Sequence, residues 1–300
     1  MISYETKAKW VPSEVKLNII QNSIYGVDIE KGAVDIARLR FWLSLIVNEE
    51  KPKPLPNLDY KIVVGDSLIS KFDNEIVEID WVNKKFTSST EHYVKEIERL
   101  LHKIADKQKL YFNPNIKVKK KLQSEIRNLK IELLINQLSF NKELYINKSS
   151  QKGGFLPTPA DIKHNAELKL KIRGFDNLLA KLNNLLKTPD EPFNHFDWKL
   201  DFPEVLNSYL VNGNGGFDIV IGNPPYLKER DNAHIFKDVN NSNFGKQWHQ
   251  GKMDFWFYFL HKEIDISNPK AIITFITSRY WLNSQGAKKL INRIPDNSQA

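Results

Sequence analysis

The chain of 300 residues contains no cysteine and only two methionines. Without cysteine it cannot form disulfides or thiolate metal sites, which fits a reducing compartment. No apolar run approaches the length that spans a membrane, and the first residues lack the apolar core of a secretory signal. The seven histidines show no ligand spacing, such as a helical pair with a glutamate. The sequence therefore predicts a cytoplasmic protein with no membrane span and no metal site.

Glycine is missing from the start of the chain, since residues 1–22 contain none. The densest glycine cluster is Gly213, Gly215 and Gly216, and it precedes an apolar segment. A glycine loop that cradles a nucleotide cofactor lies between a strand and the helix that follows it. The cluster is therefore predicted to be a turn that leads into a strand.

Basic residues exceed acidic ones, and the excess is local. Residues 81–150 hold fifteen basic and seven acidic residues, which accounts for the whole formal charge of +8. A concentrated basic excess favours a polyanionic partner such as double-stranded DNA. The densest run consists of Lys117, Lys119, Lys120 and Lys121. These lysines are candidates for phosphate contacts, and a solvated helix end is an equally good reading of them.

The same part of the chain has helical periodicity. Apolar residues recur at spacings of three and four over residues 94–104, 122–138 and 168–186. The third of these has the spacing of a coiled-coil seam. We therefore predict a basic helical insertion over residues 71–211.

An apolar segment with a rigid polar end is the most informative feature of the chain. Residues 217–221 are typical of a strand buried on both faces. Pro224 and Pro225 cannot continue a sheet ladder, so the chain leaves the sheet there. Asn223 precedes a proline, which restricts its backbone to extended geometry. The carboxyl ends of parallel strands are where open α/β sheets bind ligands.

Residues 223–226 form the tip of this segment. The tip suits methylation of a planar amine, whose lone pair is delocalised and therefore a poor nucleophile. The side-chain oxygen of Asn223 and the carbonyl of Pro224 can each accept one amine N–H. They would thereby direct the lone pair at an electrophilic methyl group without a strong base. Tyr226 can stack on a base that has been flipped out of the duplex. A proline-stiffened turn with a packed tyrosine is the alternative.

The sequence resembles the N6-adenine DNA methyltransferases of bacterial restriction–modification systems. The tip resembles their fourth motif, residues 25–29 (YGVDI) their second, and residues 54–58 (PLPNL) with 64–68 (VGDSL) their third. The order of these motifs is most similar to large enzymes that include the type IIG group and phage-defence relatives. Residues 25–68 and 217–290 carry the resemblance, and the middle of the chain adds little.

The resemblance implies S-adenosylmethionine as the cofactor and a set of residues that hold it. Asp28 would bind the ribose hydroxyls, Ile29 would pack on the cofactor adenine, and Asp66, next to Ser67, would accept the adenine amine. Asn223, Pro224, Pro225 and Tyr226 would form the catalytic tip. Asp28 could instead cap the next helix, and Asp66 could be an ordinary turn residue.

One departure from the family concerns its glycine-rich first motif, which should precede Asp28. Its lack predicts an internal piece of a longer methyltransferase, inactive alone and working with restriction or specificity subunits or domains outside this chain. Two other functions remain open. One is a methyltransferase for a protein glutamine amide, and the other is a catalytically silent DNA-binding fragment.

The expected fold is α/β, a partial Rossmann-like methyltransferase sheet interrupted by the helical insertion. Residues 1–70 would form the cofactor side and residues 212–300 the target-base side. Residues 227–250 are polar and are predicted to be irregular, with Lys228 and Arg230 as further DNA contacts. The aromatic residues of 255–259 are predicted to pack in the core, because they cover a helix face.

Overall fold

A computed structural model of the chain describes residues 12–47, 55–79, 81, 90–113, 115–150, 159–211 and 215–294. The sequence predicts a glycine- and proline-containing loop over residues 151–159, and all of it but residue 159 lies outside the described residues, as do residues 212–214 of the predicted turn. The helices and strands have the following bounds: α1 Pro12–Ser23, β1 Gly26–Asp28, α2 Lys31–Ile46, β2 Ile62–Val64, β3 Lys71–Phe72, β4 Glu75–Ile76, α3 Glu91–Tyr111, α4 Lys119–Ser150, α5 Pro159–Lys187, α6 Trp198–Asp201, α7 Pro203–Leu206, β5 Phe217–Gly222, α8 Ala233–Asn241, α9 Asn243–Trp248, α10 Trp256–Ile266, β6 Ser267–Phe275 and α11 Lys288–Arg293.

The strands form two parallel pairs and one small hairpin. Strand β1 pairs with β2, so that Asp28 lies opposite Val64. Strand β5 pairs with β6, so that Gly222 lies opposite Phe275. The antiparallel pair β3–β4 forms the hairpin. The predicted α/β class is thus confirmed, while a single Rossmann-like sheet stays a prediction, because the described strands do not join the two parallel pairs.

The three long helices pack side by side, as their apolar spacing predicts. Helix α3 lies on α4 through a cluster that includes Ile97, Ile104 and Leu133. Helix α4 lies on α5 through a second cluster that includes Leu134 and Leu182. A buried ion pair between Lys130 and Asp201 joins α4 to the short helix α6.

An aromatic cluster connects the two parallel pairs of strands. Tyr25, just before β1, and Phe217, the first residue of β5, have ring centroids 5.4 Å apart. Both rings also contact Phe202, which is fully buried between α6 and α7. The segment around Phe202 lies within residues 71–211, yet it packs against the strands that flank the insertion. The two strand pairs therefore share one core at the start of their strands.

Two expectations from the sequence are wrong in detail. Strand β5 is not buried on both faces, because Val220 is buried while Ile219 and Ile221 are 61% and 78% exposed. No helix in the described part of the chain covers that face of the strand. Residues 227–250 are not irregular either, since they contain α8 and α9, with Phe236 and Val239 in the core.

The aromatic residues of α10 are core residues, as predicted. Trp256, Phe257 and Tyr258 are almost completely buried, and Phe255, just before the helix, is slightly less buried. Helix α10 also contacts strands β5 and β6. None of the helices in the described part of the chain is long and apolar enough to cross a membrane.

Candidate active site at the strand ends

The tip of β5 presents hydrogen-bonding groups to solvent. Asn223 is exposed, and no described residue makes a hydrogen bond to its side chain. Pro224 is buried, and its carbonyl meets no donor in the described part of the chain. The next carbonyl is engaged, because Leu227 N–H donates to Pro225 O at 3.2 Å. Buried Pro224 thus anchors the tip while the Asn223 amide stays free.

Tyr226 links the tip of β5 to the end of β6. Its hydroxyl donates to the carbonyl of Ile276, one residue beyond β6. The rest of the side chain is accessible, since Tyr226 is 53% exposed. A ring fixed at its hydroxyl and open to solvent is suited to stacking on a flat ligand.

The chain beyond the tip is fixed by an isolated antiparallel bridge. Lys228 pairs with Asp254, and Phe255 N–H donates to Leu227 O at 2.8 Å. The Asp254 carboxyl also accepts the hydroxyl of Tyr280. Burial raises the pKa of Asp254 above its ordinary value, and the nearby charge of Lys228 opposes the rise. Two contacts therefore join the segments that follow β5 and β6. One is the hydrogen bond from Tyr226 to Ile276, and the other runs through Asp254, which pairs with Lys228 and accepts from Tyr280.

A glycine is required just before Asn223. Phe275, at the end of β6, packs directly over Gly222, and a Cβ there would lie 2.4 Å from Phe275 Cε1. Any larger residue would displace the ring or the strand, because such a contact is far below van der Waals distance. The glycine thus allows β5 and β6 to stay paired up to the tip.

Asp28 and Asp66 lie at the same end of the β1–β2 pair. Gly65 N–H donates to Asp28 O at 2.9 Å, which continues the parallel ladder past Val64. Asp28 is exposed, and its Oδ1 accepts the N–H of Glu30 at 2.8 Å. Glu30 precedes helix α2, so Asp28 forms a short turn instead of capping the first helical N–H groups. Ile29 beside it is 67% exposed.

The loop after β2 is built around Asp66. Its Oδ1 accepts the N–H groups of Leu68 at 2.9 Å and Ile69 at 3.3 Å. The carbonyl of Ser67 accepts the indole N–H of Trp198 at 2.9 Å. No described donor meets Oδ2 of Asp28 or of Asp66. Each acid therefore has one oxygen bound within the protein and one available.

Comparison with known proteins identifies the family. The family model described as Eco57I restriction-modification methylase matches residues 22–299, nearly the whole chain. The chain belongs to this family. It is also 27% identical over 233 residues to a putative type II restriction enzyme and methyltransferase of Methanocaldococcus jannaschii. That alignment covers 70% of this chain and 18% of the relative, so the chain spans about a fifth of the relative's length. No solved structure matches it.

The predicted DNA-contacting residues of this methylase chain differ in their availability. Lys117 is exposed just before α4, and Lys120 and Lys121 are exposed in its first turn. Lys119 is half-buried and donates to Asn57 Oδ1 at 3.0 Å. Arg230 is exposed, and it pairs with the carboxylate of neighbouring Asp231 at 3.1 Å. Lys119 and Arg230 are thus partly committed to partners within the protein.

Lys228 is exposed as well, and its ammonium lies 5.7 Å from the ring centre of Tyr280. It therefore lies near the tip of β5 and outside residues 71–211. A cavity of about 700 Å³ opens elsewhere, between α4, α5, the hairpin and α9. Its lining includes Ser70 and Asp197 but none of the residues of the tip.

Sequence reasoning missed the residues that hold the Asp66 loop in this methylase. Phe196 packs over Gly65, Asp197 accepts the Ser70 hydroxyl at 3.2 Å, and Trp198 binds Ser67. The signal was present as a dense aromatic stretch, residues 193–202, at the end of the predicted insertion. Aromatic residues at that density more often line a core than a solvated helix end.

Proposed function

We propose that this chain is the catalytic part of a restriction–modification enzyme that methylates the exocyclic N6 amine of adenine in DNA. The observation that carries the proposal is the free amide of Asn223 beside the free carbonyl of Pro224, both at a strand end. Two acceptors at adjacent positions match the two N–H groups of a planar amine. Family membership supports a methylase, and the tip supports the choice of an amine as its target.

The tip would act by orientation and charge. Accepting both amine hydrogens draws electron density onto the nitrogen and fixes the direction of its lone pair. Pro225 restricts the direction of the Pro224 carbonyl, since a residue that precedes a proline is confined to extended geometry. Tyr226 would hold the flipped base through its exposed ring face. Once the nitrogen carries the methyl group, its surplus proton can pass to the solvent that reaches Asn223.

The β1–β2 end would hold S-adenosylmethionine, which supplies an electrophilic methyl group when bound. The available oxygens suit that role, because a ribose and an adenine amine are both hydrogen-bond donors. Asp28 would accept from the ribose hydroxyls and Asp66 from the adenine amine. Exposed Ile29 offers an apolar surface for the adenine ring. Ser67 would contribute through the backbone of the same loop.

A methylation assay with matched variants tests the proposal. Assayed within the longer methyltransferase that the sequence predicts, and supplied with labelled S-adenosylmethionine, the wild-type sequence should label duplex DNA that contains adenine. Asn223→Ala should lower the rate about 100-fold or more, as loss of one aligned polar group does in other sites. Asn165→Ala, which removes an exposed amide from α5, should leave the rate unchanged. Equal rates for both variants would refute the role of Asn223.

The same assay separates the two other functions. Labelling of a protein glutamine in preference to DNA would favour an amide methyltransferase. Salt-sensitive DNA binding without any calorimetric signal for S-adenosylmethionine would favour a silent DNA-binding fragment. The basic excess between residues 81 and 150 favours a DNA substrate over a protein one.

Exposed lysines at the start of α4 are proposed to contact phosphates. Each phosphate contact contributes about 0.9 to the slope of log affinity against log salt. The triple variant of Lys117, Lys120 and Lys121 to alanine should therefore lower that slope by up to about 2.7. A control with the same change in charge replaces exposed Lys187, Lys270 and Lys288. Identical slopes for the two triple variants would contradict a specific contact.

A further inference from the structure

One peptide group in the loop after β2 is held from both sides. Its carbonyl, that of Ser67, accepts the indole N–H of Trp198 at 2.9 Å. Its N–H, that of Leu68, donates to Asp66 Oδ1 at 2.9 Å. The carbonyl and the N–H belong to one planar unit, because the peptide bond resists rotation. The orientation set by Trp198 is therefore passed directly to the Asp66 carboxylate.

Trp198 is itself rigidly placed. Its ring lies 5.3 Å from that of Phe196, 5.8 Å from that of Phe202 and 6.1 Å from that of Phe217, measured between ring centroids. Phe217 begins β5, the strand that leads to Asn223. The indole thus connects the aromatic core under the catalytic strand to the loop that carries Asp66.

The neighbouring residues hold the same loop at its two ends. A Cβ on Gly65 would lie 2.3 Å from Phe196 Cγ, so the Phe196 ring closes one end. Asp197 accepts the Ser70 hydroxyl at the other end, and it also accepts two N–H groups at the start of α6 at 3.0 Å. With both ends closed, the orientation of the middle peptide depends on Trp198.

From this arrangement we infer that Trp198 is a positioning residue for cofactor binding. Its indole N–H fixes the Ser67–Leu68 peptide, which fixes Asp66 Oδ1 and leaves Oδ2 available. This oxygen would accept the adenine amine of the cofactor. The inference rests on the proposed function for the identity of the ligand. The positioning of the loop can be measured without any ligand.

Trp198→Phe removes the indole N–H and keeps an aromatic ring. The matched control is Trp42→Phe, because Trp42 donates its indole N–H to Pro56 O at the same distance of 2.9 Å, away from the loop. In hydrogen–deuterium exchange followed by mass spectrometry, peptides covering residues 65–70 should exchange roughly five-fold faster in Trp198→Phe, the factor that one lost hydrogen bond gives. Peptides from α4 should not change, which separates a local effect from general loosening.

Calorimetric titration with S-adenosylmethionine is the second measurement. The dissociation constant should rise roughly five-fold in Trp198→Phe and stay constant in Trp42→Phe. An unchanged exchange rate in residues 65–70 of Trp198→Phe would overturn the inference. If the wild-type chain binds S-adenosylmethionine, an unchanged dissociation constant in Trp198→Phe would overturn it as well. Faster exchange in Trp198→Phe with no binding by the wild-type chain would support the positioning role and count against the proposed function alone.

Discussion

Glu263 gives the protein a pH-dependent weakness that one substitution should remove. The residue lies in α10 and is only 7% exposed. Its Oε2 has no hydrogen-bond partner in the described part of the chain. Burial raises the pKa of this carboxyl from 4.5 to about 7, although the adjacent charge of Lys262 opposes the rise.

The direction of the effect follows from proton uptake. In the unfolded chain the carboxyl loses its proton near its ordinary pKa of 4.5, whereas in the folded protein it keeps the proton up to about pH 7. Between these values unfolding releases a proton, so the free energy of unfolding falls as pH rises. Below pH 4.5 both states are protonated and the penalty disappears. Above pH 7 it is complete, and a difference of about 2.5 pKa units corresponds to about 3 kcal/mol.

Glu263→Gln keeps the shape of the side chain and cannot ionise. We expect the variant to match the wild type near pH 4.5 and to exceed its free energy of unfolding by about 3 kcal/mol at pH 8. Urea unfolding at pH 5, 6, 7 and 8, followed by tryptophan fluorescence, measures the difference between the two proteins. Taking the difference removes the titration of the other groups, which both proteins share.

Glu98→Gln is the matched control, because Glu98 is exposed on α3. It should change the free energy of unfolding by no more than about 0.5 kcal/mol at every pH, as exposed substitutions usually do. The reasoning is refuted if the advantage of Glu263→Gln does not grow between pH 5 and pH 8. A variant less stable than the wild type at pH 8 would show that the ionised carboxylate is stabilised by a group that the geometry does not reveal.

Two further substitutions test the packing around the site by urea unfolding at pH 7. Asp201→Asn should cost about 3–5 kcal/mol, because it leaves the buried ammonium of Lys130 without its opposite charge; a loss below 1 kcal/mol would mean that water reaches the lysine. Gly65→Ala should cost about 1–3 kcal/mol, since its Cβ would press into the ring of Phe196; an unchanged free energy would show that the ring moves aside freely.

Local features of the fold could be predicted from the sequence. Apolar spacing predicts the long helices α3, α4 and α5, and a β-branched run followed by prolines predicts the strand before Asn223. Each of these depends on residues within a few positions of one another. The helices α8 and α9 were missed because polar residues dominate them. The available signals were the apolar residues Phe236 and Val239, which are spaced for one helix face, and the serine at position 242. In the structure both apolar side chains are buried, and the Ser242 hydroxyl accepts Gly245 N–H at 2.9 Å at the start of α9.

Long-range packing could not be predicted in the same way. Trp198 is separated from Ser67 by 131 positions, and nothing in either local pattern indicates the other. The assignment of residues 71–211 to one insertion followed from a run of helices without strands. Phe202 lies in that range, and its ring packs instead on the residues that begin β1 and β5. Such pairings are set by which apolar surfaces remain uncovered after the local elements form.

The residues of the candidate site share one physical property, which is that each is half-engaged. Asp28 and Asp66 each use one carboxylate oxygen within the protein and keep the other. Tyr226 uses its hydroxyl and keeps its ring face, while buried Pro224 fixes the backbone and leaves the amide of Asn223 free. A fully engaged group cannot bind a ligand, and a fully free one loses entropy when it does. Groups fixed at one end avoid both losses, so the division between bound and available atoms supports the roles proposed for these residues.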